Sequence, residues 1–221
     1  MRVEFRLSGS GGQGLLLAGI VLAEAAILDD KNAVQTQSYG PEARGGASKA
    51  EVVISDEDID YPKATDPDYL LALTAESYRS YGPAMGAAAG KGLIIVDSSV
   101  PLSSDIAART VALPILETAR EALGKKVVAN IVALGALVGL SGAASRASLE
   151  AAVKSRVPKG TQELNIAALR AGFELAEGAL SRLEAGAAGE AAFRGSACAR
   201  AETLRMPAAT VAAYRPRKSY R

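Results

Sequence analysis

The sequence predicts an α/β fold, a mostly parallel sheet with flanking helices, followed by C-terminal helices and an extended tail. Three observations carry that expectation. Short β-forming runs alternate with helical stretches through the first half, beginning with Val3–Leu7 and then Leu15–Leu28. A continuous apolar run, "GLIIVD" at Gly92–Asp97, reads as a central strand covered on both faces. Between the first strand and the first helix lies a glycine-rich turn, "GSGGQG" at Gly9–Gly14.

The remaining elements follow in order. Ala33–Gln37 reads as a strand, and Ser38–Ala47, "SYGPEARGGA", as a loop from its Gly and Pro content. Ser48–Ser55 alternates as a strand does, and Pro62 and Pro67 bracket a further loop. Tyr69–Leu73 is a strand, followed by a short helix over Ala75–Tyr81, and Arg109–Leu113 is another strand. From Pro114 helices take over: proline suits a first turn, and Gly124 ends that helix after Leu123. Val127–Leu140 is helical and apolar on most sides, and Ser148–Lys154 is a helix stopped before Pro158. A long helix starts at Thr161 and runs to near Glu184, its Leu164, Leu169, Phe173, Leu175, Ala176 and Leu180 forming a core-facing stripe.

Composition excludes several classes of function. The 221 residues allow one α/β domain with a substantial core. Lys and Arg number 25 against 24 Asp and Glu, so no global basic field points to nucleic acid. The start of the chain shows no secretory signal pattern. The longest apolar run, Val127–Leu140, contains Asn130 and falls short of the about 20 residues a bilayer needs. A cytoplasmic protein with no membrane insertion is expected. The chain has no histidine and one cysteine, Cys198. It can build neither a Ser–His–Asp triad nor, alone, an iron–sulfur or structural zinc site. Such a chain is a cofactor-using enzyme or a subunit whose chemistry happens on a partner.

The expected division is residues 1–185 as the folded domain and 186–221 as a basic tail packing on partner subunits. From Ala187 onward seven basic residues face two acidic ones, a net of +5 on a chain whose total is +1.

Read as Gly9-x-Gly11-x-x-Gly14, the turn fits the dinucleotide-binding fingerprint of Rossmann-like folds. In that reading Gly9 permits the tight turn, Gly11 lets backbone approach a phosphate, and Gly14 lets helix and strand pack closely. The helix start offers free N–H groups to an anion, with Ser10, Gly12 and Gln13 alongside. The fingerprint also asks for a carboxylate closing the second strand, to hold a ribose hydroxyl. Gln35 and Gln37 stand there instead, which weakens a stand-alone NAD(P)-binding reductase. A glycine turn that serves packing alone remains open at this point.

The second loop is more specific. Pro41 after Gly40 fixes a turn, Gly45 and Gly46 free the backbone, and Arg44 can fork two hydrogen bonds to a carboxylate or phosphate. A surface salt bridge with Glu42 is the plainer account of Arg44. Together with the glycine turn, this loop resembles the gamma subunit of the 2-oxoacid:ferredoxin oxidoreductases, of the type acting on 2-oxoglutarate or a related larger 2-oxoacid. The resemblance runs over "GSGGQGLLLAG", "QTQSYGPEARGGASKAEVVISDEDIDYP", "LLAL", "GLIIVDSSVP" and "VPKGTQELNIAALRAGFE", stretches spread over roughly the first 180 residues.

That resemblance implies a role in converting a 2-oxoacid and coenzyme A to an acyl-CoA and carbon dioxide, with two electrons passed on. It implies thiamine diphosphate on alpha and beta subunits and iron–sulfur clusters on a further subunit, in a hetero-oligomer. This chain would carry no metal and no catalytic side chain and would be inactive by itself. Gly9, Ser10, Gly11, Gly12, Gln13, Gly14, Tyr39, Arg44, Gly45 and Gly46 are the candidate contacts to coenzyme A.

Overall fold

The computed structural model describes residues 1–39, 47–85, 92–106, 108–121 and 123–193. Among these, six strands form one sheet: β1 (Arg2–Ser10), β2 (Asn32–Tyr39), β3 (Ala47–Ser55), β4 (Tyr69–Ala72), β5 (Leu93–Asp97) and β6 (Arg109–Leu113). Their spatial order is β2-β3-β1-β4-β5-β6. The pairs β1/β4, β4/β5 and β5/β6 are parallel, whereas β3 runs antiparallel to both β1 and β2. One strand therefore opposes the other five, and the sheet is mostly parallel, as the alternation of elements predicts.

β3 also breaks the expected strand order. A plain β-α-β crossover would set β2 beside β1. Here β1 and β3 pair along their whole length, from Arg2↔Ser55 to Ser10↔Ala47, and β2 is displaced outward by one strand. The pairing is fixed by the pleat: Phe5 faces Val52 and Leu7 faces Ala50 on the buried side, and a one-residue slip would turn all four away from the core. Helix α1 (Leu15–Leu28) crosses this side, and Gly19 lets it come close. A Cβ on Gly19 would sit 3.1 Å from the Ala50 methyl.

β4 and β5 are covered on both faces. Leu71, Leu73, Leu93 and Ile95 enter the larger core, while Leu70, Ala72, Ile94 and Val96 meet Tyr78, Met85 and Val100. Tyr78 belongs to α2 (Ala75–Tyr81), which Thr74 caps by accepting a hydrogen bond from Ser77 N–H. On the same side of β1 and β3 the cover is shared between α2, whose Tyr81 ring lies against Arg6 and Lys49, and the segment 56–68. Arg6 donates to Ala64 O at 2.9 Å, and Asp66 N–H donates to Glu4 at 3.0 Å. Glu51 pairs with Arg6 at 2.8 Å and Lys49 at 3.0 Å. Burial by itself would raise the Glu51 pKa, but the hydrogen bonds from Lys49 and Arg6 outweigh it and hold the carboxyl below its ordinary value. Asp68 is the opposite case: burial, with Glu4 and Asp66 nearby, pushes it up.

The helical second half comprises α3 (Ile115–Glu121), α4 (Ala129–Ser141), α5 (Arg146–Arg156) and α6 (Gln162–Phe193). α4 is buried nearly throughout. It meets α6 through glycines: Cβ atoms on Gly135 and Gly172 would run into Leu169 O and Val132 O, so the two backbones touch. α5 starts earlier than Ser148 because Ser145 caps it, accepting from Ser148 N–H at 3.1 Å, and Asp29 at the end of α1 holds both serines. α6 runs past the expected end near Glu184, to Phe193. Its alanine-rich continuation has no proline to stop it, and alanine is the best helix former. Two compact units divide the chain, Met1–Leu180 and Ser181–Arg221, and of the second the structure describes the helical stretch to Phe193. The basic tail beyond it, with Cys198, lies outside the described residues. Among the described residues no helix is long and apolar enough to cross a membrane.

Candidate functional site

The carboxyl ends of the parallel strands form one edge of the sheet, and there the sequence motifs meet. β1 runs to Ser10, and Gln13 N–H donates back to Ser10 O at 3.2 Å. Gly12 has φ 88°, as the third residue of a type II turn requires. Gly14 has φ 75° and opens α1 with no side-chain cap and no acidic residue in the first turn.

The glycines therefore divide the work differently from the fingerprint reading. Gly9 is not in the turn; it pairs with Ser48 inside the sheet, and Ser48 Oγ donates to its carbonyl at 3.3 Å. The tight turn falls to Gly12. Close helix–sheet packing falls to Gly19, while Gly14 meets α4 instead: Asn130 Nδ2 donates to Gly14 O at 3.1 Å. Gly11 and Gly12 are exposed, and Ser10 N–H donates to Gln13 Oε1 at 2.7 Å. Beneath the turn, Ser8 Oγ lies 3.1 Å from Ser48 O and 2.9 Å from Ser77 Oγ, which is in turn 2.9 Å from Thr74 Oγ1. These buried hydroxyls tie β1, β3 and α2 together.

Tyr39 ends β2 opposite Ser48, and Ala47 begins β3 opposite Ser10. Both ends of the second loop are thus at the edge that carries the glycine turn. Arg44, Gly45 and Gly46 themselves lie outside the described residues.

Next to the turn, toward β5, is a cavity of about 720 Å³. Gly12 and Gln13 form one wall, Asp97–Ser99 another, and Leu116, Glu117 and Arg120 of α3 a third; Lys126, Val127 and Ala129 close it. Its size suits a cofactor-sized ligand. Asp97, buried at the end of β5, accepts from Ser99 N–H at 2.9 Å, Ser99 Oγ at 2.5 Å and Leu116 N–H at 2.8 Å. Its charge is spent on holding the wall. Lys126 and Arg120 supply cationic groups, although Arg120 pairs with Glu121 at 2.6 Å. No group of three or more His, Cys, Asp or Glu able to hold a metal occurs among the described residues.

The sequence reading missed this second wall. The signal was present in "GLIIVDSS", where a polar triplet follows the carboxyl end of a central strand, the position where open α/β sheets bind ligands. Asn130, a lone amide in an apolar helix, was the other sign. A dinucleotide reading fares worse than before: with β3 interposed, the end of β2 is about 4.8 Å further from the turn than in the fingerprint geometry.

The model of the pyruvate ferredoxin/flavodoxin oxidoreductase family matches residues 4–175. Over 181 residues the chain is 48% identical to the 2-oxoglutarate synthase subunit KorC of Methanocaldococcus jannaschii, covering 80% of this chain and 95% of that one. A crystal structure of a keto/oxoacid ferredoxin oxidoreductase gamma subunit from Geobacter sulfurreducens superposes with a TM-score of 0.72 at 48% identity, over 81% of this chain and 98% of that one. The 2-oxoglutarate:ferredoxin oxidoreductase of Magnetococcus marinus, solved with 2-oxoglutarate, coenzyme A and succinyl-CoA bound, shares the fold at 22% identity with a TM-score of 0.71, over 80% of this chain and 31% of that one. None of these points to a stand-alone NAD(P)-dependent reductase. The chain is a member of the pyruvate ferredoxin/flavodoxin oxidoreductase family and has the fold of its gamma subunits.

Proposed function

We propose that this chain is the non-redox gamma subunit of a hetero-oligomeric 2-oxoacid:ferredoxin oxidoreductase acting on 2-oxoglutarate or a related larger 2-oxoacid. The observation that carries the reading is the 48% identity to an archaeal 2-oxoglutarate synthase subunit across 95% of that subunit's length. The overall reaction turns a 2-oxoacid and coenzyme A into an acyl-CoA, carbon dioxide, two electrons and a proton. With no histidine and one cysteine, this chain alone lacks the ligands for an iron–sulfur cluster. In keeping with what the family resemblance implies, thiamine diphosphate is assigned to alpha and beta subunits and the clusters to an iron–sulfur subunit.

The chain's own part is on the coenzyme A side. Backbone N–H groups of the Ser10–Gly14 turn face the coenzyme A pyrophosphate, and Arg44, between Tyr39 and Gly45–Gly46, grips an anionic group of the same ligand. The exposed turn, the adjoining cavity and the convergence of both loop ends on one sheet edge support this assignment. The tail from residue 186 packs on the partner subunits.

The test is affinity purification of the chain at native expression, with mass spectrometry of what accompanies it and assay against a panel of 2-oxoacids. The expected result is co-purification with thiamine-binding and iron–sulfur chains and coenzyme A-dependent oxidation, fastest with 2-oxoglutarate or a larger 2-oxoacid. Isolation of the chain without such partners would overturn the reading.

A further inference from the structure

We infer that Gln13 is a displaceable stopper in the glycine turn and sets how tightly that turn takes a phosphate-bearing ligand. The inference rests on the coenzyme A reading above. Gln13 Oε1 accepts the Ser10 N–H at 2.7 Å, while Gln13 N–H donates to Ser10 O at 3.2 Å. The side chain folds back over the end of β1, so closely that a Cβ on Gly9 would run into Oε1. Leu15 Cδ1, 2.8 Å from the same point, closes the other side of Gly9. An electron-rich oxygen on a backbone donor in a glycine turn occupies the seat a phosphate oxygen would take.

The stopper is free to leave. Gln13 is only half-buried and lines the cavity of about 720 Å³, so its carboxamide can swing out into open space. Leaving exchanges a neutral hydrogen bond for a charge-assisted one to the incoming phosphate, which is roughly twice as strong. The walls around the exit do not compete for the seat. The Asp97 carboxylate is engaged by Ser99 and Leu116. Of the charged groups on the other walls, Glu117 opposes the anion and Arg120 is partly answered by Glu121, while Lys126 favours it.

Titration calorimetry of the complex carrying the full chain tests this, with coenzyme A and inorganic pyrophosphate as the two probes. Gln13→Ala empties the seat and should tighten both probes by about two- to tenfold, the worth of one competing hydrogen bond. Gln13→Glu puts a carboxylate on the seat and should weaken both by more than about tenfold through repulsion and a stronger internal bond. Circular dichroism of each variant shows that the fold is kept. If coenzyme A binds the parent but Gln13→Ala binds it equally or more weakly, the stopper is overturned and the coenzyme A reading stands. If neither probe binds parent or variants, both fall. If the parent binds neither and Gln13→Ala binds pyrophosphate, the stopper is supported.

Discussion

Asn130 Nδ2 donates to Gly14 O at 3.1 Å, and the same amide fills the space where a Gly14 side chain would begin. A residue of α4, remote in sequence, thereby fixes the start of α1 and the turn before it. Gly14→Ala should destabilise the chain by about 1–3 kcal/mol from its left-handed backbone alone, with a further loss from the Asn130 contact. Asn130→Ala removes one of the two hydrogen bonds to Gly14 O, which keeps the Ala18 N–H, and should cost about 0.5–1.5 kcal/mol. The double variant removes the clash but not the backbone strain, so it should be less destabilised than the sum. Denaturant melts of the four proteins give the coupling, and strict additivity would show that the two residues do not interlock.

The α4–α6 contact makes a sharper contrast among glycines. Gly172→Ala drives a Cβ into Val132 O and near Ala136 N at 2.8 Å, backbone on both sides, so neither neighbour can yield. A loss of about 1–3 kcal/mol or more is expected, the usual cost of overpacking. A Cβ at Gly178, on the same helix, meets nothing within 4 Å. Gly178→Ala should instead stabilise by about 0.5–1 kcal/mol, because glycine in a helix interior costs that much. Thermal melts that moved in the same direction for both variants would refute the packing argument.

Opposite pKa shifts under the sheet predict opposite pH behaviour. Glu51 is held below its ordinary pKa, so its pairing stabilises the fold above the unfolded value and the benefit is lost as pH falls through the folded pKa. Glu51→Gln should lower the melting temperature at pH 7, with the gap closing below about pH 4. Asp68 is raised, so its contribution is complete below the unfolded pKa and is lost as pH rises through the folded one. Asp68→Asn keeps an oxygen for Glu4 N–H and should raise the melting temperature at pH 7, again converging with the parent below about pH 4.

Much of the fold was legible because burial writes itself into local pattern. "GLIIVD" marks a doubly covered strand, and β5 is buried throughout. The insertion of β3 between β1 and β2 was not legible, since strand pairing is a long-range choice that alternation alone does not determine. The glycine turn was visible as a motif but its internal roles were not: Gly9 is crowded by Gln13 and Leu15, and Gly14 by Asn130, contacts no spacing rule contains. The cavity sets the Asp97–Ser99 wall against Lys126, residues separated in sequence, with α3 between them in the chain.

The tail supplies the last prediction. Residues 194–221 carry seven basic side chains and one acidic one, and their apolar content is sparse: Leu204, Met206, Val211, Tyr214 and Tyr220 are the larger members. With ordering costing about 1–2 kcal/mol per residue, a segment of this composition is expected to gain from a partner's surface. On a neighbouring subunit Tyr214 and Tyr220 can anchor while the arginines pair with carboxylates. Deleting residues 194–221 should therefore leave the melting temperature of the isolated chain nearly unchanged but weaken its assembly with the partner subunits. Because the contribution is largely ionic, the penalty should be greatest at low salt and shrink as salt screens the full-length contacts. Assembly as tight as that of the full chain at low salt would make the tail a passive extension. A drop of several degrees in the isolated chain would instead mean that the tail packs on its own core.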